Sequence, residues 1–297
     1  MTGAERGFLL LGSQLGNPER KPLSTAQLRT LATRVRSAQH SAEERELQIQ
    51  DLAALGYGAE DARRILALLS EEDALEHYLR KSRKVGCVPL TWVSDGYPAV
   101  LQARLGAESS AVLWAKGDLS ILCGPKVALV GSRDIAAKNK AFAAEVGRQA
   151  ALQGYTLVSG NARGADRTAQ RACLQHGGKV ISIVADELDK QPEQERVLYI
   201  SEEDFDASFS SQRAHSRNRV IHALADKVFV AQSGLAEGGT WAGTVKNLRC
   251  GWSPVFCFRD GSEAAKQLEQ LGAVSIDVEA LANIDSLYTE NISFFDQ

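Results

Sequence analysis

Arginine occupies positions 213, 217 and 219 of the segment "RAHSRNRV", and the chain then enters the apolar stretch "IHALADKVFVAQSG". A guanidinium is costly to desolvate and presents a planar pair of donors. Arginines massed before an apolar run therefore imply a bound oxyanion or a carboxylate partner. Three other stretches share this chemistry: "VGSRD" at 130–134, "SGNARGAD" at 159–166 and "QSGLAEGGTWAGT" at 232–244. Small residues let backbone N–H groups approach an oxyanion, a following helix adds its positive end, and arginine supplies charge. On this reading Gly131, Ser132 and Arg133 grip one phosphate, and Gly160, Arg163 and Gly164 line its neighbour. Gly238, Gly239 and Thr240 open a helix toward the same place, and Arg213, Arg217 and Arg219 clamp its mouth. The chemistry is that of a pocket for a phosphate or a nucleotide chain.

For these loops to meet, the elements between them must form one sheet edge. From residue 126 short apolar runs alternate with amphipathic stretches: "KVALV", "YTLVSG", "KVISIVAD", "VLYISE", "DKVFVAQS" and "PVFCF", with predicted helices such as "HSRNRVIHALA" and "GTWAGTVKNLRCG" between them. Nearly all-apolar strands alternating with helices predict a mostly parallel sheet covered on both faces, whose ligands lie at the C-terminal strand ends. The fold class expected is α/β, an extended Rossmann-like, doubly wound domain over 125–277. Residues 1–80 space Leu, Ile and Val three or four apart in "TAQLRTLATRVRSA", "AEERELQIQDLAALG" and "AEDARRILALLS", which predicts a small all-helical N-terminal domain. Residues 81–124 read as a linking segment and the edge of the sheet domain, and 278–297 as a tail.

Composition narrows the function. Thirty-four basic against 37 acidic residues give a net charge of −3, with acids crowded at 185–206 and bases near the loops above. A local basic patch can hold phosphates on an acidic protein because charges beyond about 8 Å are screened. Five scattered cysteines, none spaced CxxC, predict reduced thiols, a cytoplasmic protein and no zinc site. No apolar run is long enough for a membrane span. There is no GxGxxG fingerprint, no Walker lysine, and His176, His215 and His222 have no metal-ligand or triad spacing. No cofactor is expected, and binding is favoured over turnover.

Each residue also has a plainer role open to it. Asp166 suits an N-cap, Arg217 or Arg219 can pair with Asp226 or the acids at 202–206, and Trp241 suits the core as well as a stacking platform.

"VALVGSR", "LVSGNARGAD", "SRNRVIHALADKVFVAQSG" and "SDGYPAVLQARLGAESSAVLWAKGD" resemble the blocks of the DNA-processing protein A (DprA, or Smf) family over residues 85–275. The resemblance implies an extended Rossmann domain that binds single-stranded DNA, forms a homodimer and hands the strand to a RecA-type recombinase, without being an enzyme. On the matching positions Ser132 and Arg133, Ser159, Gly160, Gly164 and Asp166, and Arg217, Asn218 and Arg219 would form the phosphate pocket. Lys126, Lys138, Lys140 and Lys246 would extend the track. Gln170 stands where the family usually has a histidine, and the glycine–threonine loop is expanded. Two other classes share the sheet: a sensor domain for a free nucleotide signal, and a lonely-guy-like nucleotide phosphoribohydrolase. In the latter family a glutamate follows the glycine loop, where this chain has Val245, Lys246 and Asn247.

Overall fold

The computed structural model describes residues 1–38 and 47–288. Part of the second predicted helix and the end of the tail lie outside the described residues. Helices cover most of the N-terminal part: α1 (Gly3–Gly12), α2 (Thr25–Ser37), α3 (Ile49–Ala54), α4 (Ala59–Leu69) and α5 (Glu72–Lys84). Their starts follow from local chemistry. Thr2 and Ser24 cap α1 and α2 and form capping boxes with Glu5 and Gln27, which satisfy backbone donors that a helix end leaves open. Leu11, Leu28, Leu31, Leu52 and Ile65 close a local core, whereas Leu9 and Leu10 of α1 and Leu75, Tyr78 and Leu79 of α5 pack into the core beneath the sheet. Arg20, only 7% exposed, donates to the carbonyls of Ser13 and Leu10 and to Glu71 at 2.8 Å, which ties the α1–α2 connection to the start of α5.

The sheet follows: β1 (Cys87–Thr91), α6 (Ala99–Leu105), β2 (Val112–Lys116), β3 (Lys126–Val130), α7 (Ala137–Leu152), β4 (Thr156–Ser159), α8 (Ala165–Gln175), β5 (Lys179–Ile183) and β6 (Val197–Ser201). Then come α9 (Ser211–Ser216), α10 (Asn218–Leu224), β7 (Lys227–Val230), α11 (Gly238–Cys250), β8 (Val255–Phe258), α12 (Glu263–Gln270) and β9 (Val274–Ile276). The order is β1-β2-β6-β5-β4-β3-β7-β8-β9, antiparallel only at β1–β2 and β2–β6. This is the α/β, mostly parallel architecture read from the sequence. Alternate residues feed opposite faces: Val127, Leu129, Phe229 and Phe256 join one core, and Ala128, Val130, Val228 and Val230 join the other.

Two local readings need correcting. The linking segment contains strand β1, whose Pro89 is tolerated because the strand lies at the edge of the sheet and needs fewer ladder donors. The single helix expected over "HSRNRVIHALA" is two short ones, α9 and α10, which meet at Arg217.

The chain winds outward from β3 through β4 and β5 to β6, returns to lay β7 on the other side of β3, and winds the opposite way. Between β3 and β7 the helices leave for opposite faces, so the loops after these strands splay apart. That is where an open α/β sheet makes its crevice.

Candidate functional site

A cleft of about 520 Å³ opens at this switch point, lined by Gly131, Ser132, Arg133 and Asp134 after β3, Asp166 of α8, and residues of α9, α10 and the start of α11. Ser132 ties three strand ends together. Its N–H donates to the Gln232 carbonyl at 3.0 Å, and its own carbonyl accepts from the Ala165 N–H at 3.2 Å. Gln232 answers through its side chain, accepting from the Ala136 N–H at 2.9 Å and donating to the Asp134 carbonyl at 3.3 Å.

Asp166 is 5% exposed, and its Oδ2 accepts from the N–H groups of Gly160 at 3.1 Å and Ala162 at 3.2 Å. It shapes the β4–α8 loop from inside. Burial pushes its carboxyl above the ordinary range, while the Arg217 charge and the two N–H donors pull it back.

Arg217 is 8% exposed, and its guanidinium lies across the Gly160 backbone, where a Cβ would stand 1.3 Å from Nη1. Its Nε is buried without an acceptor, and among the described residues no hydrogen bond or ion pair engages the rest of the group. Burial pulls its pKa down and Asp166 pulls it up. A guanidinium nevertheless stays charged in proteins, so a buried cation faces the cleft with its donors unused. On the opposite wall Glu237 precedes α11 without capping it, which leaves the first N–H groups of a 13-residue helix open. Asn218 Nδ2 donates to the Gly239 carbonyl at 2.9 Å and holds this helix start against α10. The arrangement suits an oxyanion held between Arg217, Arg133 and the α11 N-terminus.

Of the residues singled out from sequence, Gly131, Ser132, Arg133, Asp166, Arg217, Asn218, Gly238, Gly239 and Thr240 line the cleft. Gly160 lies under the Arg217 guanidinium, and Gly164 backs the carbonyls of Ser132 and Arg133. Ser159 is fully buried and accepts from Gln170 Nε2 at 2.6 Å, so Gln170 braces the end of β4. Arg163 stands on the rim, paired with Asp134 at 2.9 Å, with both side chains largely exposed.

The other cations are engaged elsewhere. Arg213 lies on the far side of α9 and donates to the Ser208 carbonyl. Arg219 pairs with the buried Glu202 at 2.6 Å, which in turn accepts from Ser110 Oγ at 2.6 Å. Lys246 pairs with Glu108. Lys126, at the first position of β3, is at the opposite edge of the sheet and donates to the Gly124 carbonyl at 2.7 Å, while Asp226 accepts from its N–H at 2.8 Å. Lys138 donates to the Asp260 carbonyl, and Lys140 is exposed on α7. Trp241 is partly buried against the core. The three-arginine clamp is thus reduced to Arg217, because Arg213 and Arg219 find carbonyl and carboxylate partners off the cleft. Truncating Arg219 strands the Glu202 charge. Arg219→Ala is therefore expected to lower stability by about 2 kcal/mol, scaled down from fully buried pairs because Arg219 is 20% exposed, and urea unfolding reads it.

Sequence reasoning missed Ser211, His215, Gln232 and Glu237. His215 lies inside the arginine-rich segment, Ser211 two residues before it, Gln232 opens the glycine-rich stretch 232–244 and Glu237 directly precedes its glycine pair, so proximity was the only available signal. Among the described residues no group of His, Cys, Asp and Glu is placed to hold a metal ion, and no helix is long and apolar enough to cross a membrane. Cys87, Cys173 and Cys257 are buried free thiols.

His222, beneath the α10–α11 junction, is fully buried. Its Nδ1 faces Asn247 Nδ2 at 3.2 Å, and burial drives its imidazole down to about 3. The unfolded chain takes up this proton near pH 6.5, while the folded protein stays neutral until about 3. Stability is therefore present above pH 6.5 and is lost as pH falls toward 3. Between pH 7 and 5 the loss from this residue is about 2 kcal/mol, and the denaturation midpoints of His222→Gln should vary less over that interval.

The chain matches the model of the DNA recombination-mediator protein A family over residues 89–278. It belongs to that family. Among curated relatives, DNA processing protein DprA of Streptococcus pneumoniae is 33% identical over 156 residues, covering 49% of this chain and 54% of the relative. DprA of Bacillus subtilis is 26% identical over 163 residues, covering 51% of this chain and 54% of the relative. The chain thus spans about half the length of the curated relatives it matches. The X-ray structure of the S. pneumoniae DprA superposes with a TM-score of 0.72 at 25% identity, over 93% of this chain and 95% of that one. DNA processing protein A from Helicobacter pylori, described for its single-stranded DNA binding mode, shares the fold with a TM-score of 0.56 at 22% identity, over 66% of this chain and 94% of that one. For this member of the DNA recombination-mediator protein A family, the matched residues include every loop that lines the cleft.

Proposed function

We propose that the protein binds single-stranded DNA through its phosphate backbone in the cleft between β3 and β7, and as a homodimer in the cytoplasm presents the strand to a RecA-type recombinase. One observation carries the binding step: the buried, charged, unpartnered guanidinium of Arg217, laid over Gly160 and facing the open start of α11. A cation in that position is stabilised by an oxyanion brought to it. A polymer of phosphates supplies one without any base being recognised. The family membership and the description of the H. pylori relative support the choice of polymer. A cleft of about 520 Å³ also fits a free nucleotide signal. Strand length separates the two readings.

The test is fluorescence anisotropy with labelled oligo-dT of increasing length, repeated with duplex and across a salt series. Affinity that rises with length, favours the single strand and falls steeply with salt is the expected result. Binding of mononucleotides as tight as that of long oligomers would sink the DNA reading in favour of the signal. The recombinase step is read by the rate of RecA filament formation on a single strand with and without the protein, and no acceleration would remove it. Sedimentation equilibrium reads the dimer, and a single monomer mass at every loading concentration would refute it.

A further inference from the structure

A strand held in the cleft must leave it over some part of the surface, and three lysines expected to lengthen its track, Lys126, Lys138 and Lys246, already have carbonyl or carboxylate partners. The exit past α9 is acidic, because the groove beyond that helix is lined by Glu202, Glu203 and Asp204. Helix α8 offers the opposite charge. Arg163 stands on the cleft rim just before the N-cap Gly164, Arg167 lies in the first turn of α8 and Arg171 four residues on, and all three are exposed. Four residues of α-helix rise about 6 Å, so Arg167 and Arg171 share one face, one turn apart, on a helix that leads away from the cleft.

Their donors are largely unused. Arg167 spends only Nε, on the Asn161 carbonyl at 3.3 Å, and Arg171 has no hydrogen bond or ion pair among the described residues. Arg163 is held by the exposed pair with Asp134, which a phosphate can displace at little cost. No acid on the helix neutralises the row, since its single carboxylate, Asp166, is buried and turned to the N–H groups of Gly160 and Ala162. The acidic crossover 185–196 meets the β4–α8 loop through the Asn161–Gln191 bond, yet Glu187 pairs with Lys190 and no ion pair from this segment reaches α8 among the described residues.

The row also runs against the needs of the helix. A helix N-terminus is the positive end of its dipole and favours acids, and like charges four residues apart repel. Arg167 sits at that end and Arg171 four residues beyond it, while the last turn, where a cation would suit the dipole, carries none. The two arginines therefore cost the unliganded helix stability. A row of anions laid along them reverses the sign of the repulsion. An extended single strand, whose successive phosphates lie a comparable distance apart, can set one on each.

We propose that the strand held in the cleft leaves it over Arg163 and runs along α8, with one phosphate on Arg167 and the next on Arg171. The proposal rests on the single-strand reading of the cleft.

The test uses the full chain, anisotropy across a salt series, and an oligo-dT just long enough for affinity to stop rising with length. Arg167→Gln combined with Arg171→Gln keeps good helix formers at both positions, so the urea midpoint stays at or above that of the wild type. Affinity falls several-fold, and the slope of log affinity against log salt falls by about 1.4, at about 0.7 for each single-strand phosphate released. Arg171→Gln alone leaves the Arg167–Asn161 bond in place and lowers the slope by about 0.7. Oligomers with two successive neutral methylphosphonate linkages, moved along the strand, locate the contacts: one placement weakens the wild type and leaves the double variant unaffected, while placements in the cleft weaken both. Arg83→Gln combined with Arg249→Gln, at exposed positions in the last turns of α5 and α11, removes the same charge and leaves the slope unchanged. An equal loss in that control pair would reduce the effect to bulk charge and overturn the proposal. Unchanged affinity and slope in the α8 double variant, with Arg217→Ala still weakening the strand, would overturn the α8 path and leave the cleft reading standing. If Arg217→Ala changes nothing, the cleft reading fails and the α8 path falls with it.

Discussion

Arg217→Ala is expected to weaken single-strand binding by about 1.5–3 kcal/mol, roughly 10- to 100-fold, the range for lost hydrogen bonds to a charged group. Removing the guanidinium relieves its desolvation cost, but it also takes from the buried Asp166 carboxyl the charge that draws it back toward the ordinary range. The two effects oppose each other, so the denaturation midpoint should move far less than the affinity for the strand. A companion change separates charge from position. In Gly160→Ala the new Cβ would meet Nη1 at 1.3 Å and the guanidinium carbon at 2.1 Å, so the side chain must swing off the loop. The charge is kept and its placement is lost. Anisotropy with oligo-dT should show a loss similar to that of Arg217→Ala, with a salt dependence closer to wild type because the arginine is still present. Full affinity in Gly160→Ala would mean that the observed guanidinium position is not the one that binds.

What could be read from sequence follows from how local each cause is. Strands β3, β4 and β7 are buried on both faces and therefore write themselves as unbroken apolar runs, and the loops after them carry the glycines and serines that a close backbone approach demands. Strand β1 was hidden because it is an antiparallel edge containing Pro89, where neither an apolar run nor strict alternation is required. The arginines show the other limit. Arg217 and Arg219 are two residues apart and identical in type, yet one faces a cleft and the other a buried glutamate at position 202 on a different element. No local pattern encodes which partner lies across the fold. Lys126 is a different kind of miss, because it is the first residue of its strand and so had to lie on the edge opposite the cleft.

Gly164→Ala should damage the fold itself. Gly164 has φ +87°, a conformation that L side chains rarely adopt, and a Cβ there would stand 2.3 Å from the Arg133 carbonyl oxygen and 2.5 Å from that of Ser132. Neither obstacle is a flexible side-chain end. The backbone after β3 would have to retreat, and with it the bond from the Ala165 N–H to the Ser132 carbonyl that joins α8 to β3. Left-handed strain and the clash together imply a loss of about 3 kcal/mol, read as a lower urea midpoint. The loop after β3 also presents Arg133 to the cleft, so binding should fall as well, and stabilising osmolytes would restore folding without restoring affinity. Near-native stability in Gly164→Ala would show that the β3 and β4 loops are not packed this closely, and the cleft they form would need a different geometry.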